Sequence, residues 1–238
     1  NDVPSNTPPR FRFNPERVHV VPVNALSAAE KGEEKEKEKE EDERLHYVVV
    51  GGGKTGQDTI LHLLTEKHVA PENIMWIVPN DFWITARDPP DGKMDTCTEF
   101  LALANATTQA SISSPEYIQT TFEELERRGK VYRFDQTVRP TKFMNATLNK
   151  EEVGIIQTLV KKNSGGSINR SGRLAAIEDD GTLVFASGER QALPWSAAGD
   201  GGGVLETTTF VHCSCGAFNF SASADEVRPP VFGEGVVS

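Results

Sequence analysis

One stretch constrains this chain more than any other. His46-Tyr47-Val48-Val49-Val50-Gly51-Gly52-Gly53-Lys54-Thr55-Gly56-Gln57-Asp58 is a β-branched apolar run that ends in glycines and passes at once into a helical pattern. Gly51, Gly53 and Gly56 occupy the places of a G-x-G-x-x-G turn. At the first place a glycine lets the chain leave the strand sharply. At the second it lets a pyrophosphate approach the backbone, and at the third it lets the helix pack closely on the strand. The free N–H groups and the dipole at the start of that helix favour phosphate charge. The flanks agree with this reading. Val48, Val49 and Val50 read as a strand buried on both faces. Ile60, Leu61, Leu63 and Leu64 recur at helical spacing. Ile74-Met75-Trp76-Ile77-Val78 stands where the next parallel strand of a βαβ unit belongs. Gly53-Lys54-Thr55 also invites a P-loop reading. That motif needs a glycine where Val48 stands, so a nucleoside triphosphatase is set aside.

Length and charge narrow the field. The 238 residues are enough for one large domain, or one domain with parts of another. A net charge of −10 and a pI near 5.1 argue against nucleic-acid binding and against adhesion to anionic membranes, which favour basic surfaces. No apolar run reaches the length of a membrane span. Three cysteines, Cys97, Cys213 and Cys215, are few and odd in number, which fits a reducing compartment and a cytoplasmic location. Cys213 and Cys215 share one face of a strand. They read as buried structural thiols, because a zinc site needs a second ligand cluster that the sequence does not offer.

The chain opens with a proline-rich polar segment. Residues 18–23 are strand-like, with Pro22 suited to an edge, but no sheet of their own is available to join. Residues 30–44 are a mixed-charge run without large apolar side chains, and read as a solvated insertion with partial helicity from Glu–Lys pairs. Beyond the second strand stands Asp81, where an acidic side chain commonly holds ribose hydroxyls. Arg87, slightly further on, suits a 2′-phosphate instead, so the two residues point to opposite cofactor preferences. Helices are expected over 94–109, over 114–129 (Ser114 as N-cap, Pro115 in the first turn, Gly129 as stop) and over 149–162. A strand is expected over 131–135 and a loop over 164–167. Asp179-Asp180-Gly181 marks a hairpin between 174–178 and 182–186. A glycine-rich loop over 196–203 precedes a last apolar strand, 209–213. This alternation predicts an α/β chain: a Rossmann-like three-layer domain with a central parallel sheet and a β-hairpin or meander addition.

With these elements in place the chain resembles the nicotinamide-binding module of two-dinucleotide-domain flavoproteins. That superfamily includes flavin monooxygenases and pyridine nucleotide–disulfide oxidoreductases. The likeness runs from about Ser5 to Val231 and is most specific at residues 48–58. The Gly-Lys-Thr-Gly-x-Asp form of the loop is more similar to the monooxygenase-like branch. Trp76-Ile77-Val78-Pro79-Asn80-Asp81-Phe82-Trp83 resembles a Trp-x-x-Pro-Arg-Asp-x-Trp block of such oxidoreductases, with Asn80 in place of the arginine. The resemblance implies NADP or NAD as one cofactor, held by Gly51, Gly52, Gly53, Lys54, Thr55, Gly56, Asp81 and Arg87. It implies FAD as the other, held largely by a lobe absent from this chain. It further implies a fragment-like organisation: residues 1–29 as a remnant of a flanking flavin-binding domain, 30–45 as a charged linker, 46–216 as the nucleotide-binding domain, and 217–238 as a return segment. The expected partners are a small-molecule substrate of unassigned identity and, as an option, a second copy of the chain. No acid–base or nucleophile set stands out. Two other readings stay open at this level. One is a non-catalytic nucleotide-sensing or interaction module on the same fold. The other is a methyltransferase using S-adenosylmethionine, which also places a glycine-rich loop after its first strand.

Overall fold

The computed structural model describes residues 8–28, 46–93, 95–106, 115–160, 167–196 and 203–214. The charged run, Ser114, Lys161, Lys162, Cys215, most of the glycine-rich loop and the 217–238 return segment lie outside the described residues. In chain order the elements are β1 (His19–Pro22), α1 (Val23–Ala28), β2 (His46–Val50), α2 (Lys54–Thr65), β3 (Ile74–Ile77), β4 (Phe82–Ala86), α3 (Thr96–Ala106), α4 (Pro115–Arg127), β5 (Val131–Tyr132), β6 (Lys142–Leu148), α5 (Lys150–Ile156), β7 (Ser167–Asn169), β8 (Leu174–Ile177), β9 (Leu183–Phe185), β10 (Arg190–Gln191) and β11 (Thr208–His212). The protein is mixed α/β. Its centre is a five-stranded sheet in the order β1-β11-β2-β3-β7, and every pairing in it is parallel.

The valine run explains why β2 sits in the middle. Val48, Val49 and Val50 are all buried, and they divide between the two faces of the sheet. Val49 packs with Ile60 and Leu63 of α2, Trp76 of β3, and Val153 and Ile156 of α5. Val48 and Val50 pack on the opposite face with Phe11, Leu174, Phe185 and Phe210. A strand covered on both sides has no use for alternating polar residues. Each such side chain contributes about 1.5–3 kcal/mol on burial. The covering on the second face is the antiparallel sheet β10-β9-β8, which realises the expected hairpin and extends it by one strand. Gly181 makes the hairpin turn at φ +85°.

Several elements depart from the sequence reading. Residues 18–23 do have a sheet to join: β1 pairs in parallel with β11, from His19 opposite Thr209 to Pro22 opposite His212. As an edge strand it tolerates Pro22, whose missing N–H would otherwise break a ladder bond. Phe11 and Val18, 5% and 2% exposed, enter the same core, so residues 8–28 pack as part of this body. In a second small sheet, β5-β4-β6, the strands β4 and β6 have no counterpart in the sequence reading. All five residues of its middle strand, β4, are buried. The strand expected over 131–135 is only β5, and it pairs antiparallel with β4 instead of entering the central sheet. Ser167, expected in a loop, opens β7. The helix begun at Asn149 is shorter than its apolar pattern suggests. Asn149 and Glu152 form a capping box, α5 ends at Ile156, and a 3₁₀ turn covers Gln157–Leu159.

Candidate functional site

The glycine turn owes its shape to what lies behind it. Gly51 has φ +126°, and its N–H donates to Ile77 O at 3.1 Å. A Cβ there would lie 3.0 Å from the carbonyl carbon of Cys213 and from the Ser214 nitrogen, so the turn nests against the chain leaving β11. At Gly52 a Cβ would come within 2.8 Å of Val78 Cγ1 and 3.0 Å of Phe82 Cε1. At Gly56 it would lie 2.0 Å from Gly51 O, which is the close helix-on-strand packing the motif requires. Gly53 is the N-cap of α2, in extended backbone that any residue adopts, so its glycine matters for approach and not for conformation. The carbonyls are anchored from behind. Trp76 Nε1–H donates to Gly51 O at 2.9 Å, Gln57 Nε2–H to Gly52 O at 3.2 Å, and Gln57 N–H to Gly53 O at 3.0 Å. Gly53, the N-cap residue, has no side chain to cap the first turn of α2. The opening N–H groups of a helix lack intrahelical partners and favour an anion.

The turn borders a cavity of about 930 Å³. It sits at the carboxyl ends of β2, β3 and β11, where strand order reverses: β3 lies to one side of β2 and β11 to the other. Open parallel sheets bind ligands in this crevice, and the volume is within the ordinary range of a small-molecule site.

Of the residues singled out by sequence, Gly51, Gly52, Gly53, Lys54 and Thr55 line the cavity. Gly56 is buried behind them at the helix–strand contact. Asp81 and Arg87 are not in the lining. Asp81 binds the Arg170 guanidinium at 2.5 and 3.0 Å, and Arg170 reaches on to Asp135 at 3.0 Å. Burial alone would raise the Asp135 carboxyl, but hydrogen bonds from Thr137 and the Arg170 charge outweigh it and hold the group below its usual range. Arg87 donates to Glu152 Oε1 at 3.1 Å and to Thr147 O at 3.0 Å. Lys54 is paired with Asp58 one turn along α2.

The structure adds cations that sequence reasoning missed. Arg10, Arg12, Lys142 and Arg173 line the cavity and are exposed, and among the described residues no carboxylate lines it. None of the four forms an ion pair with a described residue. In a chain of net charge −10 this concentrates positive charge at one place. The four come from three separate segments, and no local motif announces them.

Cys213 also borders the cavity. Its Sγ lies 3.3 Å from Thr59 Oγ1. Burial pushes the thiol up to about 11, against the Thr59 hydrogen bond, so it is neutral at physiological pH and suits a structural role. No cluster able to hold a metal ion occurs among the described residues.

The fold and site thus define an α/β protein with a cleft, lined by four cationic side chains, at the carboxyl edge of a parallel sheet. No family model matches the chain. It is similar to the uncharacterized protein Rv2000 of Mycobacterium tuberculosis (strain H37Rv) and to the uncharacterized protein Mb2023 of Mycobacterium bovis, at 31% identity over 174 residues in each case. The match covers 73% of this chain but 28% of each relative, so the chain spans under a third of the length of these proteins. Among the described residues, no helix is long and apolar enough to cross a membrane.

Proposed function

We propose that this chain is the NAD(P)H-binding part of a flavin-dependent oxidoreductase, built as a Rossmann-like domain with a β-meander addition. One observation carries the reading. Gly51, Gly52 and Gly56 each leave no room for a Cβ, and the turn they form faces a cation-lined cleft at the strand-order reversal. Such a turn fits a pyrophosphate, which accepts hydrogen bonds from the opening N–H groups of α2 and gains from the helix dipole. Trp76 and Gln57 hold the turn rigid by binding its carbonyls from behind, so the cradle is preorganised. The walls of the cleft include Phe11, Val50, Ile77, Phe82 and Leu174, which supply apolar surface for the rings of a dinucleotide. When bound, the nicotinamide supplies a hydride that a flavin accepts. The sequence contains a single G-x-G-x-x-G motif, at Gly51, Gly53 and Gly56, and in this reading the ADP half of FAD is held by another lobe.

The test is a titration of the 238-residue chain with NADPH and NADH, followed by nicotinamide fluorescence. Saturable binding of at least one of them is expected. Gly53→Val, which places a branched side chain at the approach to the phosphate, is expected to abolish it while leaving the circular dichroism spectrum intact. Absence of binding by both nucleotides, or unchanged affinity in a folded Gly53→Val protein, refutes the assignment.

A further inference from the structure

The two residues that would ordinarily discriminate between phosphorylated and unphosphorylated dinucleotides are already engaged. An acid at the end of the second strand holds the ribose hydroxyls and repels a 2′-phosphate. Here Asp81 is engaged by Arg170, which it shares with Asp135, and lies outside the cavity lining. Arg87, the sequence candidate for a 2′-phosphate, is held by Glu152 and by the Thr147 carbonyl. Discrimination has to come from elsewhere.

The cleft offers another source. The N-terminal segment is tied to β8: Arg12 N–H donates to Ala175 O at 2.9 Å, and Ile177 N–H donates to Arg12 O at 2.9 Å. Phe11 is sunk in the core beneath it. This pairing brings Arg10 and Arg12 to the same bank of the cavity as Arg173, which immediately precedes β8. The pyrophosphate has the helix N-terminus and backbone N–H groups to itself, so these guanidinium groups exceed what an unphosphorylated dinucleotide needs. A phosphomonoester brings close to two further negative charges near neutral pH. Guanidinium forks match it with paired hydrogen bonds.

We propose that the cleft prefers the 2′-phosphorylated dinucleotide, NADP(H), over NAD(H), and that Arg10, Arg12 and Arg173 hold the additional phosphate. The proposal rests on the nucleotide-binding reading above and adds to it a specificity and a location.

The experiment compares NADPH and NADH on the full 238-residue chain, with 2′,5′-ADP and ADP as competitors. NADPH is expected to bind about tenfold or more tightly than NADH, the equivalent of one charge-assisted hydrogen bond. The preference should shrink as salt is raised, because exposed charges are screened. 2′,5′-ADP should displace NADPH better than ADP does. The double variant Arg12→Gln/Arg173→Gln should lose most of the NADPH preference, its affinity for NADPH falling several-fold further than its affinity for NADH, as expected when a contact to the additional phosphate is removed. Arg87→Gln should leave the preference intact. Equal binding of NADPH and NADH overturns the proposal but leaves the nucleotide reading standing. A double variant that weakens both alike assigns the arginines to the shared pyrophosphate and overturns the location. Binding of neither nucleotide refutes the nucleotide reading and the proposal with it. If the double variant fails to fold, the wild-type salt dependence and the 2′,5′-ADP competition decide the question.

Discussion

The same substitution, glycine to alanine, should have opposite effects at two helical positions of this protein. At Gly56, in the first turn of α2, the new Cβ would stand 2.0 Å from Gly51 O and 3.3 Å from Trp76 Nε1. Those two atoms are themselves joined by a 2.9 Å hydrogen bond. The helix has to move off the strand, or the bond has to break. Overpacking of this kind costs about 1–3 kcal/mol, and losing the hydrogen bond costs about 1 kcal/mol more. Alanine's better helix propensity offsets up to about 1 kcal/mol. The net loss is about 1–4 kcal/mol, or a fall in Tm of about 2–16 °C for a chain of this size. Gly154 lies in α5 on ordinary helical backbone, and a Cβ placed there would have nothing within 4 Å. At that position alanine only removes unfolded-state freedom and should add about 0.5–1 kcal/mol, raising Tm by about 1–4 °C. Thermal unfolding by circular dichroism of the two variants beside the wild type measures both. If Gly56→Ala shifts Tm in the same direction as Gly154→Ala, helix packing on the glycine turn is not what requires Gly56, and the argument fails.

Three further outcomes follow from particular contacts. Asn149→Ala removes the acceptor of the α5 capping box and should lower stability by about 1 kcal/mol in urea unfolding, with an unchanged m-value. Lys130 is 3% exposed, and its ammonium lies 2.7 Å from Asp91, 2.8 Å from Glu99 and 2.9 Å from Lys93 O. Lys130→Met leaves these carboxylates without their cation and should lower stability in urea unfolding; a variant as stable as the wild type would refute this. Burial lowers the pKa of His212, and its Nδ1 has no hydrogen-bond partner among the described residues. A histidine depressed in the folded state binds its proton more readily when unfolded, so its contribution is full above pH 6.5 and is lost as pH falls below that. His212→Phe should therefore flatten the decline of Tm between about pH 7 and pH 5. Part of the slope should persist, because burial also lowers His46. Identical slopes in the variant and the wild type would count against the assignment.

The reach of the sequence is visible element by element. Residues 46–64 announce strand, turn and helix because each signal is local: β-branched burial, glycines where a Cβ does not fit, and apolar residues at helical spacing. The hairpin around Gly181 and the strand ending at His212 are legible for the same reason. The edge position of β1, the sheet formed by β4, β5 and β6, and the short course of α5 are not. β1 acquires its identity from β11 near the other end of the described chain, and β4 from β6, partners that no local pattern names. The site divides along the same line. The turn from Gly51 to Thr55 belongs to the sequence, since covalent neighbours make it. Asp81 and Arg87 look available on paper, but in space Arg170 and Glu152 engage them. The gathering of Arg10, Arg12, Lys142 and Arg173 around one cleft was decided only by tertiary structure, because charge in a folded chain is placed by which segments pack together and not by which stand next to one another.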